Sequence, residues 1–342
     1  MSVRVAFADR SSLIAMAACA AAVIVLAAAP SWGGRDDLQL LSEMYTYVAL
    51  ASLWNLLAGY AGLVSIGQQA YVGLGAYLLF AFILRTNVPP LAAIPLAGVI
   101  AGLAAIPVAG LVFRLRGPYF AIGTWIIAEV FRLIAAQLSI LGGGSGISLP
   151  APLVVAIASS RQMRDFLEYW IALALVVAIL ALIVLLLRSR YGLALKAIRD
   201  SELAATCNGI DVLRTKVFVY IVTAFATAMV GALIFLQRLR VSPDAAFSVN
   251  DWTAFVIFIT VIGGIGRIEG PIVGTVVFFA LRQALADLGT IYLLMLGAVA
   301  IAVMLAAPKG IWGLVVERFG WQVFPLERRV ILDDGSAGKK TL

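Results

Sequence analysis

Histidine is missing from the 342 residues, and cysteine occurs only twice. Without an imidazole there is no Ser-His-Asp or Cys-His nucleophile and no His-ligated metal. Cys19, in an apolar run, and Cys207, in a basic polar stretch, read as small buried thiols rather than a disulfide framework. Charge is scarce as well: Asp, Glu, Lys and Arg make up 13% of the chain, against roughly 25% in a soluble domain. No G-x-x-x-x-G-K-[ST] loop occurs. The nearest glycine cluster, Gly142-Gly143-Gly144-Ser145-Gly146, lacks the lysine that would hold a phosphate. Any ATP the protein depends on is therefore expected to bind another chain.

Apolar residues are what the chain has in excess, at 63% against about 45–50% in soluble domains. A single water-soluble globule cannot hide that surface, so the composition predicts an all-α integral membrane protein. At about 20 residues per span, the length allows roughly ten helices and leaves little for a soluble domain. Apolar windows fall at 13–29, 38–58, 70–84, 90–113, 118–140, 171–187, 215–236, 252–265, 271–287 and 290–307. Three of them, 70–84, 252–265 and 271–287, are short and bounded or interrupted by glycine, which predicts broken or re-entrant helices.

Basic residues orient the spans. With the N-terminus inside and ten crossings, 17 of the 25 Lys and Arg fall in inside segments and 6 in outside segments. That asymmetry places both termini in the cytoplasm. The net charge of +7 is then a topology signal and implies no nucleic acid. Arg4 and Arg10, an apolar run and Ala27-Ala28-Ala29 imitate a signal peptide, but the run is long for one and is read as a retained first span.

The longest interior hydrophilic stretch, Arg188 to Lys216, places Leu193, Ala197, Leu203 and Ala204 at helical spacing among Lys196, Arg199, Asp200 and Glu202. This predicts one or two short amphipathic helices at the cytoplasmic face, capped by Asp200 or Ser201 and ended at Gly209. An ordinary basic loop would satisfy the same charge rule. Against that stands the small-residue set Ala204, Ala205 and Gly209, which lets another backbone approach closely.

Glycines at 59, 62, 67, 73 and 75 crowd the second and third spans, with the polar residues Asn55, Ser65, Gln68 and Gln69 in the same break. A translocation path or gate and simple close packing both explain them. Glu129 and Arg132 stand i, i+3 on one helix and can pair; they are either mutually neutralised or a charged station on the path. Snorkelling accounts for Glu43, Arg282 and Asp287. Gly98-x-x-x-Gly102 and Gly270-x-x-x-Gly274 read as packing motifs. Tyr119, Phe120 and Trp125 read as interfacial anchors, and Gly142–Pro152 as a flexible outer loop.

Glu202-x-Ala204-Ala205 followed by Gly209 resembles the EAA loop of ABC-importer permeases. The surrounding YGLALKAIRDSELAATCNGIDVLRTKVFVYIVTAFATAMVGAL is similar to permeases of branched-chain amino acid importers of the LivM type. WNLLAGYAGLVSIGQQAYVGLGAY, LRGPYFAIGTWIIAEVFRL, VIGGIGRIEGPIVGTVVFFAL and APKGIWGL agree, in family order, over about residues 40–315. Gln68-Gln69 and Arg267-Ile268-Glu269 depart from the family pattern. The resemblance implies an N-terminal segment and first helix over 1–37, a permease core over 38–315 with a coupling segment at 188–216, and a cytoplasmic tail over 316–342. It also implies that Arg199, Glu202, Ala204, Ala205 and Gly209 serve ATPase coupling. By the same resemblance the chain works in the bacterial inner membrane with a homologous second permease, two cytoplasmic ATPases that carry the ATP and Mg, and a periplasmic solute-binding protein. It binds no cofactor itself, and alternating access moves the amino acid. A self-contained, ion-gradient-driven transporter or channel is the competing class, and it would need an intramembrane carboxylate such as Glu43, Glu129 or Asp287. A membrane enzyme is disfavoured by the missing histidine.

Overall fold

Long apolar runs without strand-length alternation leave the backbone one way to satisfy its own polar groups in a bilayer, the helix. The computed structural model describes residues 2–6, 10–86, 88–158, 160–285, 291–307, 309–319 and 329–333. Its first half contains α1 (Arg10–Ala27), α2 (Arg35–Asn55), α3 (Gln68–Ala81), α4 (Pro90–Val112), α5 (Pro118–Gln137), α6 (Ala151–Ile157) and α7 (Arg161–Arg188). There follow α8 (Arg190–Asp200), α9 (Glu202–Cys207), α10 (Val212–Arg238), α11 (Pro243–Ala246), α12 (Phe255–Gly263), α13 (Glu269–Ala284), α14 (Ile291–Ala306) and α15 (Gly310–Phe319). π-Helical turns prolong α2 over Leu56–Tyr60 and α3 over Phe82–Thr86, and another over Asn250–Ala254 leads into α12.

Among the described residues, seven helical stretches are long and apolar enough to cross a membrane: Gln68–Thr86, Pro90–Val112, Pro118–Gln137, Arg161–Arg188, Val212–Arg238, Pro243–Gly263 and Leu293–Arg318. Helices also occupy the windows predicted at 13–29, 38–58 and 271–287, but they are shorter or more polar. α2 opens on Arg35, Asp36 and Asp37, and α13 has 16 residues, about 24 Å of helix against a hydrocarbon core of about 30 Å. The window at 252–265 is less short than its apolar run, because α11 and the turn at Asn250–Ala254 extend it back to Pro243.

α10 forms the axis of the packing. Its inward residues Ala224, Ala228 and Gly231 are nearly all backbone, so α3 lies directly against it. A Cβ on Gly75 would collide with the Ala228 carbonyl oxygen, and one on Gly231 with that of Val72. α4 approaches the other flank of α10 through Gly98, opposite Phe225 and Met229. α12 and α13 form a second close pair, in which Gly263 abuts Gly270 and Gly274 abuts the Ile259 carbonyl. Van der Waals contact between backbones is what holds helices together where lipid removes the hydrophobic drive. Phenolic hydroxyls add ties. Tyr169 donates to Leu26 O at 2.6 Å and receives the Tyr45 hydroxyl at 2.9 Å, linking α1, α2 and α7.

Several local expectations are corrected. Gly142–Pro152 is ordered rather than loose: β2 (Ile147–Ser148) pairs antiparallel with β3 (Arg240–Val241), and Leu149 N donates to Leu239 O at 2.9 Å. Phe120 is buried and stacks on Phe113 at 5.6 Å between centroids, while Tyr119 and Trp125 are exposed. Cys207 is exposed, since α9 turns it outward. Glu43 and Arg282 do not snorkel separately but pair at 2.7 Å across α2 and α13. Asp287 lies outside the described residues. β1 (Ser2–Ala6) pairs antiparallel with β4 (Arg329–Asp333), bringing the two ends of the chain together.

Candidate functional site

The site is built where the polar segment 188–216 meets two interruptions in the helices. Ser189 and Ser201 cap α8 and α9 by accepting from Tyr191 N and Ala204 N, and Asp211 caps α10 through Arg214 N at 3.0 Å. Gly209, at φ +79°, makes the turn between α9 and α10. The inward stripe of α8 is Gly192, Leu195 and Ile198, which leaves Leu193 exposed. In α9 only Ala205 is buried, at 1% exposure. Ala204 and Gly209 face outward, so the three small residues do not form one surface: Ala205 anchors and the other two are presented. Glu202 ties α9 to α10 through an ion pair with Lys216. Leu203, one of the apolar residues at helical spacing, is 77% exposed, and Leu213 is exposed beside it.

The first interruption follows α2. Beyond the π-turn the chain passes Gly62 at φ +68° and runs without regular structure to Gly67. It is held by Trp54 Nε1 donating to Ser65 O at 2.8 Å and by Ile66 N donating to Thr124 Oγ1 at 3.1 Å. The second interruption is the turn Gly264–Ile268 between α12 and α13. Asn55 clasps it from both sides: Gly266 N donates to Asn55 Oδ1 at 2.8 Å, and Asn55 Nδ2 donates to Arg267 O at 2.7 Å. Arg199, at the end of α8, joins the same knot. Its Nη1 donates to Gly59 O at 2.6 Å, and its guanidinium covers Gly266 so closely that a Cβ there would stand 3.2 Å from Nη1. One arginine therefore fastens the exposed segment to the first interruption and lies against the second, and a charge-assisted bond such as the one to Gly59 is worth about 1.5–3 kcal/mol.

The polar residues of the first break stand together, but around a closed core. Ser65, Gln68 and Gln69 are all buried; Gln68 Nε2 donates to Leu50 O at 2.9 Å and Gln69 Oε1 accepts from Thr253. The space beside them, between Trp54, Gln68, Tyr71 and Thr227, holds only about 10 Å³, roughly one water. Gln68 Oε1 and Gln69 Nε2 have no hydrogen bond, so this plug keeps unused polar capacity. Glu129 and Arg132 are not part of it. Arg132 forks onto Glu129, with Nη2 2.6 Å from Oε1, and reaches Asp244 of α11 at 2.8 Å, one and a half to two turns further along α5 than Thr124. Among the described residues no group of three or more acidic, Cys or His side chains is placed to hold a metal. A cleft of about 910 Å³ opens between α9, the start of α10 and the turn before α5, lined by Val64, Leu115, Leu203, Leu213, Glu202 and Lys216.

Membrane-length helices interrupted at glycines, with the interruptions clasped to an exposed polar segment, are the construction of a membrane permease. The sequence model for the permease component of branched-chain amino acid transport systems matches residues 38–308, and the chain belongs to that family. It is a multi-pass membrane protein of ABC transport systems. It is 29% identical to the high-affinity branched-chain amino acid transport system permease protein LivM of Salmonella typhimurium, over 85% of this chain and 73% of that protein. LivM of Escherichia coli matches to the same extent. The ribose import permease protein RbsC of Bacillus subtilis is 33% identical over 34% of this chain. No solved structure matches it significantly.

Proposed function

We propose that the chain is the transmembrane subunit of an ATP-driven importer of branched-chain or related neutral amino acids in the bacterial inner membrane. Its spans are α1 to α5, α7, α10, the stretch ending in α12, α13 and α14, with both termini and the segment 188–216 in the cytoplasm. A homologous permease completes the translocation unit, two cytoplasmic ATPases bind ATP and Mg, and a periplasmic solute-binding protein delivers the amino acid. The ATPase docks on the outward face of α9. Closure of the ATPase dimer moves α8 and α9, and Arg199 passes that movement to the breaks at Gly59–Gly67 and Gly264–Ile268. The sealed plug at Gln68 and Gln69 then opens, its unpaired amide atoms being ready to meet water or cargo.

One observation carries this reading: an apolar side chain, Leu203, is presented to solvent beside Ala204 and Gly209 on a polar segment that is bolted to the helix breaks. A solvated loop gains nothing from that exposure, whereas a protein groove would bury it. Gly209→Trp tests the docking face. A Cβ at Gly209 meets nothing within 4 Å, so the cost to the chain itself is the left-handed backbone alone, about 1–2 kcal/mol. ATP-driven uptake of L-leucine by the reconstituted importer is expected to fall at least ten-fold while membrane insertion persists. Uptake equal to wild type would remove α9 from the coupling path, and uptake in ATP-free liposomes under an ion gradient would replace the importer reading altogether.

A further inference from the structure

α7 begins Arg161-Gln162-Met163-Arg164-Asp165-Phe166-Leu167-Glu168, with charges at i, i+3, i+4 and i+7, so one helix face is wholly ionic. On a membrane helix that face is expected to turn to water. Here it turns inward, toward α2 and the end of α10, around a cavity of about 490 Å³ at the end of the molecule opposite α9. That volume lies in the range of roughly 300–1,000 Å³ usual for small-molecule sites. Asp165 and Glu168 are 9% and 7% exposed.

The charges are only partly matched. Arg35 Nε lies 2.7 Å from Asp165 Oδ2, and Arg164 Nε lies 3.5 Å from Glu168 Oε1. Neither contact makes a hydrogen bond. Arg164 Nε, Asp165 Oδ2, Glu168 Oε1 and Gln237 Nε2 are left buried and without a hydrogen bond. Arg161 and Arg238 also line the cavity, Arg238 lying over the Trp252 ring at 5.0 Å. Leu38, Tyr47, Ile234 and Trp252 supply its apolar wall. Buried polar atoms without partners are costly, and a ligand that completes them recovers that cost.

We infer that this vestibule is a binding site for a zwitterionic α-amino acid with an apolar side chain. The unused donors, Arg164 Nε and Gln237 Nε2, suit a carboxylate, with Arg161 and Arg238 adding positive field at the rim. Of the two acceptors without a hydrogen bond, Asp165 Oδ2 is held close by Arg35 at 2.7 Å, whereas Glu168 Oε1, only 3.5 Å from Arg164 Nε, suits an ammonium group one carbon away, and the wall at Leu38, Tyr47 and Ile234 suits an aliphatic side chain. The site rests on the importer reading for its direction, since that reading turns this end outward to where cargo arrives; its chemistry stands on the side chains alone.

The test is equilibrium binding of radiolabelled L-leucine to the assembled transporter in nanodiscs, without nucleotide and without the solute-binding protein. Saturable binding is expected, displaced by unlabelled L-leucine but not by a hundred-fold excess of 3-methylbutylamine or 4-methylpentanoate, which each lack one charged group. Glu168→Gln, which keeps size and hydrogen bonding, and Gln237→Leu, at a half-buried position, are each expected to weaken binding at least ten-fold. Arg85→Gln, an exposed charge at the same end, leaves it unchanged. No saturable binding by the wild type, or equal binding by both vestibule variants, overturns the site. Displacement by 4-methylpentanoate makes it a carboxylate site and overturns the zwitterion assignment. ATP-driven uptake by the same wild-type preparation tests the importer reading separately.

Discussion

Arg199→Gln is expected to cut ATP-driven uptake at least ten-fold while the transporter still assembles and hydrolyses ATP. The guanidinium is the fastening seen between segment 188–216 and Gly59, at 2.6 Å, and it also covers Gly266. Glutamine is too short to reach both and carries no charge, so movement of α8 no longer pulls on either break. Arg199→Lys keeps the charge but not the planar fork and is expected to recover only part of the coupling. Parallel assays of uptake and ATP hydrolysis in proteoliposomes read this directly. Equal loss of both activities would mean a folding or docking defect, and wild-type uptake in Arg199→Gln would remove the fastening from the mechanism.

Gly231→Val is expected to prevent folding. Its side chain would have to occupy the position of the Val72 carbonyl, so α3 and α10 would separate along the packed axis of the molecule. Overpacking a well-filled site costs about 1–3 kcal/mol when side chains can yield, but here the obstacle is backbone. The β-branched residue also loses part of glycine's disadvantage in a helix, a gain of a few tenths of a kcal/mol that cannot offset the collision. Gly110→Val is the matched control, since a Cβ at Gly110 meets nothing within 4 Å. Size-exclusion profiles of detergent extracts should show a monodisperse peak for Gly110→Val and none for Gly231→Val; a normal peak for both would mean that the α3–α10 contact is looser than described.

The contrast between these two residues shows what local sequence encodes. The window 90–113 coincides with Pro90–Val112 to within a residue, because apolar length and flanking proline are local properties. The Glu129–Arg132 pair is equally legible from i, i+3 spacing. Contacts between distant segments are not. Arg199 and Gly59 are 140 positions apart and Glu43 and Arg282 are 239, and no periodicity connects them. Periodicity also misplaced the faces of α8 and α9, where Leu193 and Leu203 share an apolar spacing yet both point outward while Ala205 is buried. In so short a helix as α9, tertiary contact outweighs the pattern. The vestibule was hidden for a different reason: Arg161, Arg164 and Arg238 serve the topology argument as outside charges, and nothing in their spacing tells whether they face water or each other.

Coupling in this protein depends, in the proposed mechanism, on α9 meeting an ATPase. A photo-crosslinking amino acid placed at Leu203, with irradiation of native membranes and identification of the adduct by mass spectrometry, tests this most directly. The expected product joins this chain to a nucleotide-binding ATPase subunit, and a probe at Ile140, exposed at the opposite end, gives none. Lipid-only adducts at Leu203, or an ATPase adduct at Ile140 instead, would contradict both the docking face and the orientation of the chain in the membrane.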